Sequence, residues 1–306
     1  DSSHSGKGAK PSRQKHGKTS CTRNADSKPA QHHNRKDSNR GGKQQDNRKR
    51  SNRRSDSEDR KNRVSTDSDL NSRRPGGGVT AKEYAERRAA HEKWSLDQFQ
   101  VEPMEGKKRF HDFDLPSEVM HGIAELGFQY CTKIQELSLE QSLAGKNIAG
   151  KAQTGSGKTA AFLVSVLTRY LRTPESRNKT IGSPRALVIA PTRELVIQIC
   201  KDADAIGKYT NLSCLAVYGG MDYERQKREV LAGTVDLLVA TPGRLLDFVK
   251  TRVINLSNVD TLVIDEADRM LDMGFIPDVR RIMNYLPSKE KRTTMLYSAT
   301  LNDTVM

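Results

Sequence analysis

From residue 109 onward, apolar side chains come in short unbroken runs rather than in alternation with polar ones. The runs are Arg185–Ala190, Ser213–Tyr218, Asp236–Thr241, Thr261–Asp265 and Thr294–Ser298, with a weaker one at Asn147–Gly150. Runs this short and continuous predict parallel strands buried on both faces, since a strand with one wet face would alternate. The segments 159–172, 193–206, 222–232 and 243–250 lie between them and predict helices. Strands that alternate with helices, joined by right-handed crossovers, predict an α/β fold built on a doubly wound parallel sheet with helices on both faces. Ligands of such sheets bind beyond the carboxyl ends of the strands, and that is where the unusual residues of this chain fall.

Upstream the pattern disappears. Residues 1–78 contain no Phe, Trp or Tyr, and their only large aliphatic residues are Val64 and Leu70. Such a segment cannot bury enough apolar surface to offset its conformational entropy, which predicts a disordered arm. Gly76-Gly77-Gly78 closes the arm, and Ala81 to Trp94 reads as a short, charged helix. The expected organisation is therefore a basic arm at 1–78, a helical linker at 79–107 and a globular domain at 108–306.

Charge sharpens this division. The 306 residues carry 52 Lys+Arg and 38 Asp+Glu, a net charge of +14. The arm holds 21 basic and 9 acidic side chains, leaving 31 and 29 for the rest, so the globular part is nearly neutral. The arm's densest basic run, Arg48-Lys49-Arg50-Ser51-Asn52-Arg53-Arg54, suits salt-sensitive, sequence-tolerant binding to nucleic-acid phosphates. A solubilising tail is the alternative reading of the same composition. His32-His33 reads as a solvated pair rather than a metal site. The cysteines Cys21, Cys131, Cys200 and Cys214 form no C-x-x-C pair, which argues against zinc or a disulfide framework and for a reducing, cytoplasmic setting. No apolar run is long enough to span a bilayer. The start at Asp1 and the stop at Met306 in mid-pattern read as the boundaries of a fragment.

The chemistry begins at Ala152-Gln153-Thr154-Gly155-Ser156-Gly157-Lys158-Thr159, between a short strand and a helix. Glycines there let backbone N–H groups turn toward a phosphate, aided by the positive end of the following helix. Lys158 would reach the β- and γ-phosphates, and the Thr159 hydroxyl would ligate Mg²⁺. The strict pattern has Gly where Ala152 stands, and a surface glycine turn would share the same wording. Further on, Asp265-Glu266-Ala267-Asp268 closes a buried strand. Asp265 is placed to hold Mg²⁺ through water, and Glu266 to orient and deprotonate an attacking water. A carboxylate-rich helix start would look similar on its own. In this order, within one α/β unit, the two half-signals point to a nucleotide.

These residues resemble the DEAD-box ATP-dependent RNA helicases over roughly 108–306, with the family signature spelled by Asp265–Asp268. The wording of Arg109-Phe-His-Asp-Phe113 and Tyr130-Cys-Thr132 is nearest to the bacterial RhlB-type members. The resemblance implies a RecA-like domain that binds ATP and Mg²⁺. It further implies that Thr132 and Gln135 read the adenine edge and that Phe110, seventeen residues before Gly127, packs against the base. Cys131 and Lys133 stand where the family commonly has prolines. Pro191, Thr192 and Arg193, then Gly219 and Gly220, then Thr241, Pro242, Gly243 and Arg244, match the family's RNA-backbone motifs. Each of these alone could be a helix cap or a turn. Ser298-Ala299-Thr300 matches the coupling motif, whose hydroxyls in relatives hydrogen-bond the DEAD carboxylates, Asp268 among them.

The implied activity is ATP hydrolysis driving RNA duplex unwinding, sequence-independent because phosphate contacts carry no base code. The implied partners are RNA and RNA-degradation machinery, with no membrane, for a monomer. Relatives complete the reaction with a second RecA-like domain, expected to be absent here, so the fragment is expected to be nearly inactive alone. Two other readings remain: a non-enzymatic RNA-tethering module acting through the arm, and a DNA translocase of the same superfamily.

Overall fold

The structure is a computed structural model that describes residues 81–174 and 180–301. The expected basic arm at 1–78 lies outside the described residues. Six strands form one all-parallel sheet: β1 (Ile148–Lys151), β2 (Ala186–Ile189), β3 (Cys214–Val217), β4 (Leu237–Ala240), β5 (Thr261–Ile264) and β6 (Thr293–Ser298). Their order across the sheet is β1-β6-β5-β2-β4-β3. This is the expected α/β, RecA-like architecture.

The helices are α1 (Ala81–Glu92), α2 (Ser117–Glu125), α3 (Lys133–Leu143), α4 (Lys158–Arg172), α5 (Arg193–Ile206), α6 (Tyr223–Leu231), α7 (Pro242–Lys250), α8 (Ala267–Asp272) and α9 (Ile276–Met283). Alternate residues of a strand point to opposite faces, so a strand buried on both sides feeds two cores. Val188, Val239, Val263, Met295 and Tyr297 pack with Phe162, Leu163 and Ile199 of α4 and α5 and with Ile123 of α2. Leu187, Ile189, Leu238 and Leu262 pack with Leu245, Phe248, Met270 and Ile282 of α7, α8 and α9. Helices thus cover both faces, as the continuous apolar runs require.

Local chemistry sets the helix starts on the ligand side of the sheet. Thr132 caps α3, Thr192 caps α5 through Leu195 N at 3.3 Å, and Asp222 caps α6 through Arg225 N at 2.7 Å. Pro242 opens α7, where its missing N–H costs no hydrogen bond. Gly122 allows α2 to cross the end of α5, since a Cβ there would lie 2.1 Å from Ile206 O. Beside that crossing, His121 stacks on Tyr209 at 3.6 Å and on Trp94 at 4.5 Å, and its Nδ1 lies 3.1 Å from His91 Nδ1. Those contacts fasten the otherwise polar α1 to the domain.

Candidate functional site

Because every strand runs the same way, all six carboxyl ends reach one edge of the sheet. The strand order then sorts the motifs. The phosphate loop after β1, the acidic cluster after β5 and Ser298–Thr300 at the end of β6 occupy one half of that edge. The segments after β2, β4 and β3 occupy the other half.

In the first half, α4 begins at Lys158 behind Gly157, whose φ of +90° lies in the left-handed region. Lys158 Nζ lies 2.9 Å from Asp265 Oδ1 and 3.5 Å from Glu266 Oε1. The Lys158 and Asp265 side chains are buried, at 5% and 0% exposure. Thr154 of the loop donates to Glu266 Oε1 at 2.8 Å, and Arg269 Nη1 lies 3.2 Å from Glu266 Oε2. Lysine-bearing turn and carboxylate-tipped strand therefore converge on one spot, as their spelling implied.

Glu266 adopts φ +52°, a left-handed conformation that a side-chain-bearing residue holds at a cost of about 1–3 kcal/mol. The turn swings its carboxylate back over the loop. Burial raises the Asp265 carboxyl above the ordinary carboxylate range, although the charge and hydrogen bond of Lys158 oppose it. Burial also works to raise Glu266, but Thr154, Lys158 and Arg269 outweigh it and hold that carboxyl low, ionised at neutral pH. Two neighbouring carboxylates thus have environments that separate their proton affinities.

The β6 end links both groups. Ala152 N donates to Ser298 O at 2.9 Å, and Asp268 N donates to the buried Ser298 Oγ at 3.1 Å. Thr300 gives the Asp268 carboxylate its backbone N–H at 3.1 Å and its hydroxyl at 3.4 Å. Burial pushes Asp268 up, but the Ser298 hydroxyl and backbone N–H groups prevail and hold it low. One residue after β6 thereby touches the acidic cluster, and one residue at its end touches the start of the phosphate loop.

A cavity of about 630 Å³ opens beside the loop, lined by Phe128, Tyr130, Thr132, Gln135, Gly155, Gly157, Lys158, Thr159 and, across from them, Asp202 and Ile206 of α5. Gln135 is nearly buried in its wall: Oε1 accepts from Thr132 N at 2.8 Å, and Nε2 donates to Gly157 O at 3.1 Å. Thr132 Oγ1 donates to Ser156 O at 2.9 Å. Phe110 does not line the cavity. It is fully buried, with Phe128 stacked over it at 6.4 Å, so Phe128 is the ring that meets the space. The sequence wording named Tyr130 without giving it a role and passed over Phe128, Asp202 and Arg269. The three-residue step from Glu266 to Arg269 was a readable helix-start signal, whereas Asp202 comes close only through folding.

A cation and a phosphate both fit this chemistry. Asp265 Oδ2 is buried and has no hydrogen-bond partner among the described residues, the mark of an acceptor awaiting a positive ligand. Among the described residues no group of three His, Cys, Asp or Glu could cage a metal. The donor set suits an ion carried largely by water and phosphate oxygens, with one or two protein oxygens, as Mg²⁺ prefers.

In the second half of the edge, Arg193, Gly219 and Gly220 are exposed, while Pro191, Thr241 and Pro242 are buried beneath them. Thr241 Oγ1 accepts from Gly219 N at 3.4 Å and holds two of these segments together. Arg193 stacks on Tyr218 at 5.6 Å. Arg244 is drawn inward: its guanidinium donates to Gln226 Oε1 and Met221 O, each at 2.8 Å, over the Tyr223 and Phe248 rings. It braces this edge rather than projecting from it.

Residues 132–306 match the model of the DEAD/DEAH box helicase family, more than half of the chain. The chain belongs to that family. It is similar to the ATP-dependent RNA helicase RhlB of Pseudomonas aeruginosa, 55% identical over 206 residues, which are 67% of this chain and 52% of that one. Its similarity to the RhlB of Pseudomonas putida is also 55% over 206 residues, with the same shares. To the RhlB of Shewanella sediminis it is 49% over 195 residues, 64% of this chain and 45% of that one. The chain thus spans about half the length of the curated relatives it matches. For a DEAD-box protein, the motif order along the chain and the two-part sheet edge agree. No described helix is long and apolar enough to cross a membrane.

Proposed function

We propose that this chain is the nucleotide-binding half of an ATP-dependent RNA helicase. It binds ATP with Mg²⁺ and holds the backbone of single-stranded RNA along the β2–β4–β3 part of the edge. It hydrolyses ATP to drive strand separation together with a second RecA-like domain. The observation that carries the reading is the buried approach of Lys158 Nζ to Asp265 Oδ1 at 2.9 Å, beside a second carboxylate oxygen that has no partner among the described residues.

In this reading Lys158 exchanges its carboxylate partners for the β- and γ-phosphate oxygens, which need the positive charge more as the transferring group loosens. Loop N–H groups at 155–159 receive the phosphates, a role backbone donors at a helix start perform without reorganising. Bound Mg²⁺ would neutralise phosphoryl charge, and Thr159 and Asp265 are the residues that would hold it. Glu266, ionised and turned over the loop, accepts the proton of the attacking water. Gln135 keeps one amide hydrogen and one lone pair beyond its two wall contacts, enough to meet a donor–acceptor adenine edge, with Phe128 against the ring. Asp268, Ser298 and Thr300 tie the acidic cluster to the start of the phosphate loop.

An arginine supplied from outside the domain is worth a factor of about 10³–10⁵ in such reactions. We therefore expect the 306 residues alone to bind nucleotide but turn it over slowly, and the same residues joined to a second RecA-like domain to be stimulated by RNA. Fluorescent-nucleotide binding and steady-state ATPase assays, with and without single-stranded RNA, test the two parts separately. Failure to bind nucleotide would sink the site assignment. Fast RNA-stimulated turnover by this chain alone would sink the two-domain division of labour.

A further inference from the structure

Two sulfurs that the nucleotide reading leaves unused meet at the open edge of the sheet. Cys214 begins β3, the edge strand, and is buried. Cys200 sits on α5, which packs on β3, and is half-buried. The Cys214 thiol donates to Cys200 Sγ at 3.2 Å, about 1 Å more than an S–S bond of ~2.05 Å. Their spacing in the chain gives no hint of this, because the fold alone brings α5 back onto β3.

We propose that Cys200 and Cys214 form a peroxide-responsive dithiol, with Cys200 the attacking sulfur and Cys214 the resolving one. Access decides the order, since Cys200 is the more exposed of the two and solvent oxidants reach it first. The Cys214 thiol, hydrogen-bonded to Cys200 Sγ at 3.2 Å, already lies within reach of a sulfur oxidised there. The same bond, with burial behind it and the charge of Asp204 adding to both, pushes the Cys214 thiol well above its ordinary range. Cys214 therefore stays protonated until its neighbour becomes an electrophile. Cys131, pushed up to about 12 by burial, is a poor competitor for the oxidant.

The step balances with hydrogen peroxide as oxidant. The Cys200 thiolate attacks one peroxide oxygen, the O–O bond breaks, and hydroxide leaves, giving a sulfenic acid. Cys214 sulfur then attacks Cys200 sulfur. The S–S bond forms, the S–O bond breaks, and the Cys214 proton departs with the hydroxyl as water. Two electrons pass from the thiols to the peroxide, and each equivalent yields two waters. The new bond would join the helix that opens at Arg193 to the strand that ends before Tyr218, Gly219 and Gly220.

The test uses the whole folded chain, exposed to hydrogen peroxide, then unfolded in denaturant that contains the alkylating agent, so that every free thiol is capped, and digested by trypsin without reductant. The expected product is peptide 194–201 joined to peptide 209–225, two hydrogens lighter than their sum and separated by dithiothreitol. Its rate of appearance should not change when the protein is diluted. Because Cys214 belongs to the core, the assignment rests on C200S, checked for an unchanged circular dichroism spectrum, which should abolish the link and leave Cys214 as a capped thiol. Oxidation of Cys200 to a sulfinic acid while Cys214 remains cappable would overturn the proposal. So would a link that forms only between molecules and fades on dilution.

Discussion

Replacing Lys158 with Ala removes the cation that faces a carboxylate with 0% exposure. Breaking a buried ion pair from one side costs about 3–5 kcal/mol, because the remaining charge is left uncompensated. The lower end applies here, since Glu266 keeps Thr154 and Arg269 and Asp265 can take up a proton. For a domain of about 150–250 residues, each kcal/mol moves Tm by about 2–4 °C, so a loss of about 3 kcal/mol lowers Tm by about 6–12 °C. Nucleotide-free melts followed by circular dichroism, and by fluorescence of the single tryptophan, Trp94, measure this directly.

The pH dependence makes the reasoning sharper. Burial holds Asp265 above its unfolded value, so the native state binds its proton more tightly than the unfolded chain, and this group favours folding more as pH falls. Losing Lys158 removes the influences that oppose burial and widens that window. The penalty of K158A should be largest near pH ~8 and shrink toward pH ~5. Glu266 and Asp268, held low, act in the opposite sense. Their contribution is present above the unfolded carboxylate values of about 4 and is lost below them, so the comparison stops near pH ~5. Adding Asp265→Asn to K158A should restore part of the loss. A penalty under about 1 kcal/mol, equal at both pH values, or strict additivity of the two substitutions, would refute the buried-pair argument.

Three further outcomes follow from the same geometry. Gly157→Ala places a Cβ 2.6 Å from Gln135 Nε2 at a φ of +90°, so nucleotide affinity should fall by at least ~10-fold, about 1.4 kcal/mol, in a fluorescent-nucleotide titration. Glu266→Gln in this chain joined to a second RecA-like domain should leave that affinity unchanged and cut ATP turnover by a factor of ~10²–10⁴, the usual worth of a general base; retained turnover would reassign the base. Burial, with His91 and Lys208 nearby and despite Glu125, holds His121 below its ordinary value, so the unfolded chain binds its proton more readily. Urea midpoints should therefore rise between pH ~5 and ~7, and His121→Phe should flatten that rise.

The strands were legible because burial on both faces leaves an uninterrupted apolar run, and the long helices because their phase is strong. The helix at 193–206 matches α5, and the run at 261–265 matches β5 to within a residue. What no local pattern carries is the strand order. That β6 stands between β1 and β5 is a matter of non-local pairing, and it is this that lets Ser298 touch both the phosphate loop and Asp268. The convergence of Lys158 with Asp265 was readable from motif chemistry, but the turn at Glu266 that aims its carboxylate was not. The resemblance implied that Phe110 packs against the base and that Arg244 belongs to an RNA-backbone motif. The fold uses Phe110 as a floor under Phe128, and it ties Arg244 to Gln226. A motif letter fixes a residue's place in the chain more firmly than the direction its side chain takes.

Gln135 carries a consequence beyond its own contacts. The same amide that faces the cavity clamps the end of the phosphate loop at Gly157 and the start of α3 at Thr132. In the proposed reading, base choice and phosphate grip therefore share one mechanical part. A lineage relaxing its selectivity for the base at this position would also slacken its hold on the triphosphate, which is a physical reason for the two properties to drift together or not at all.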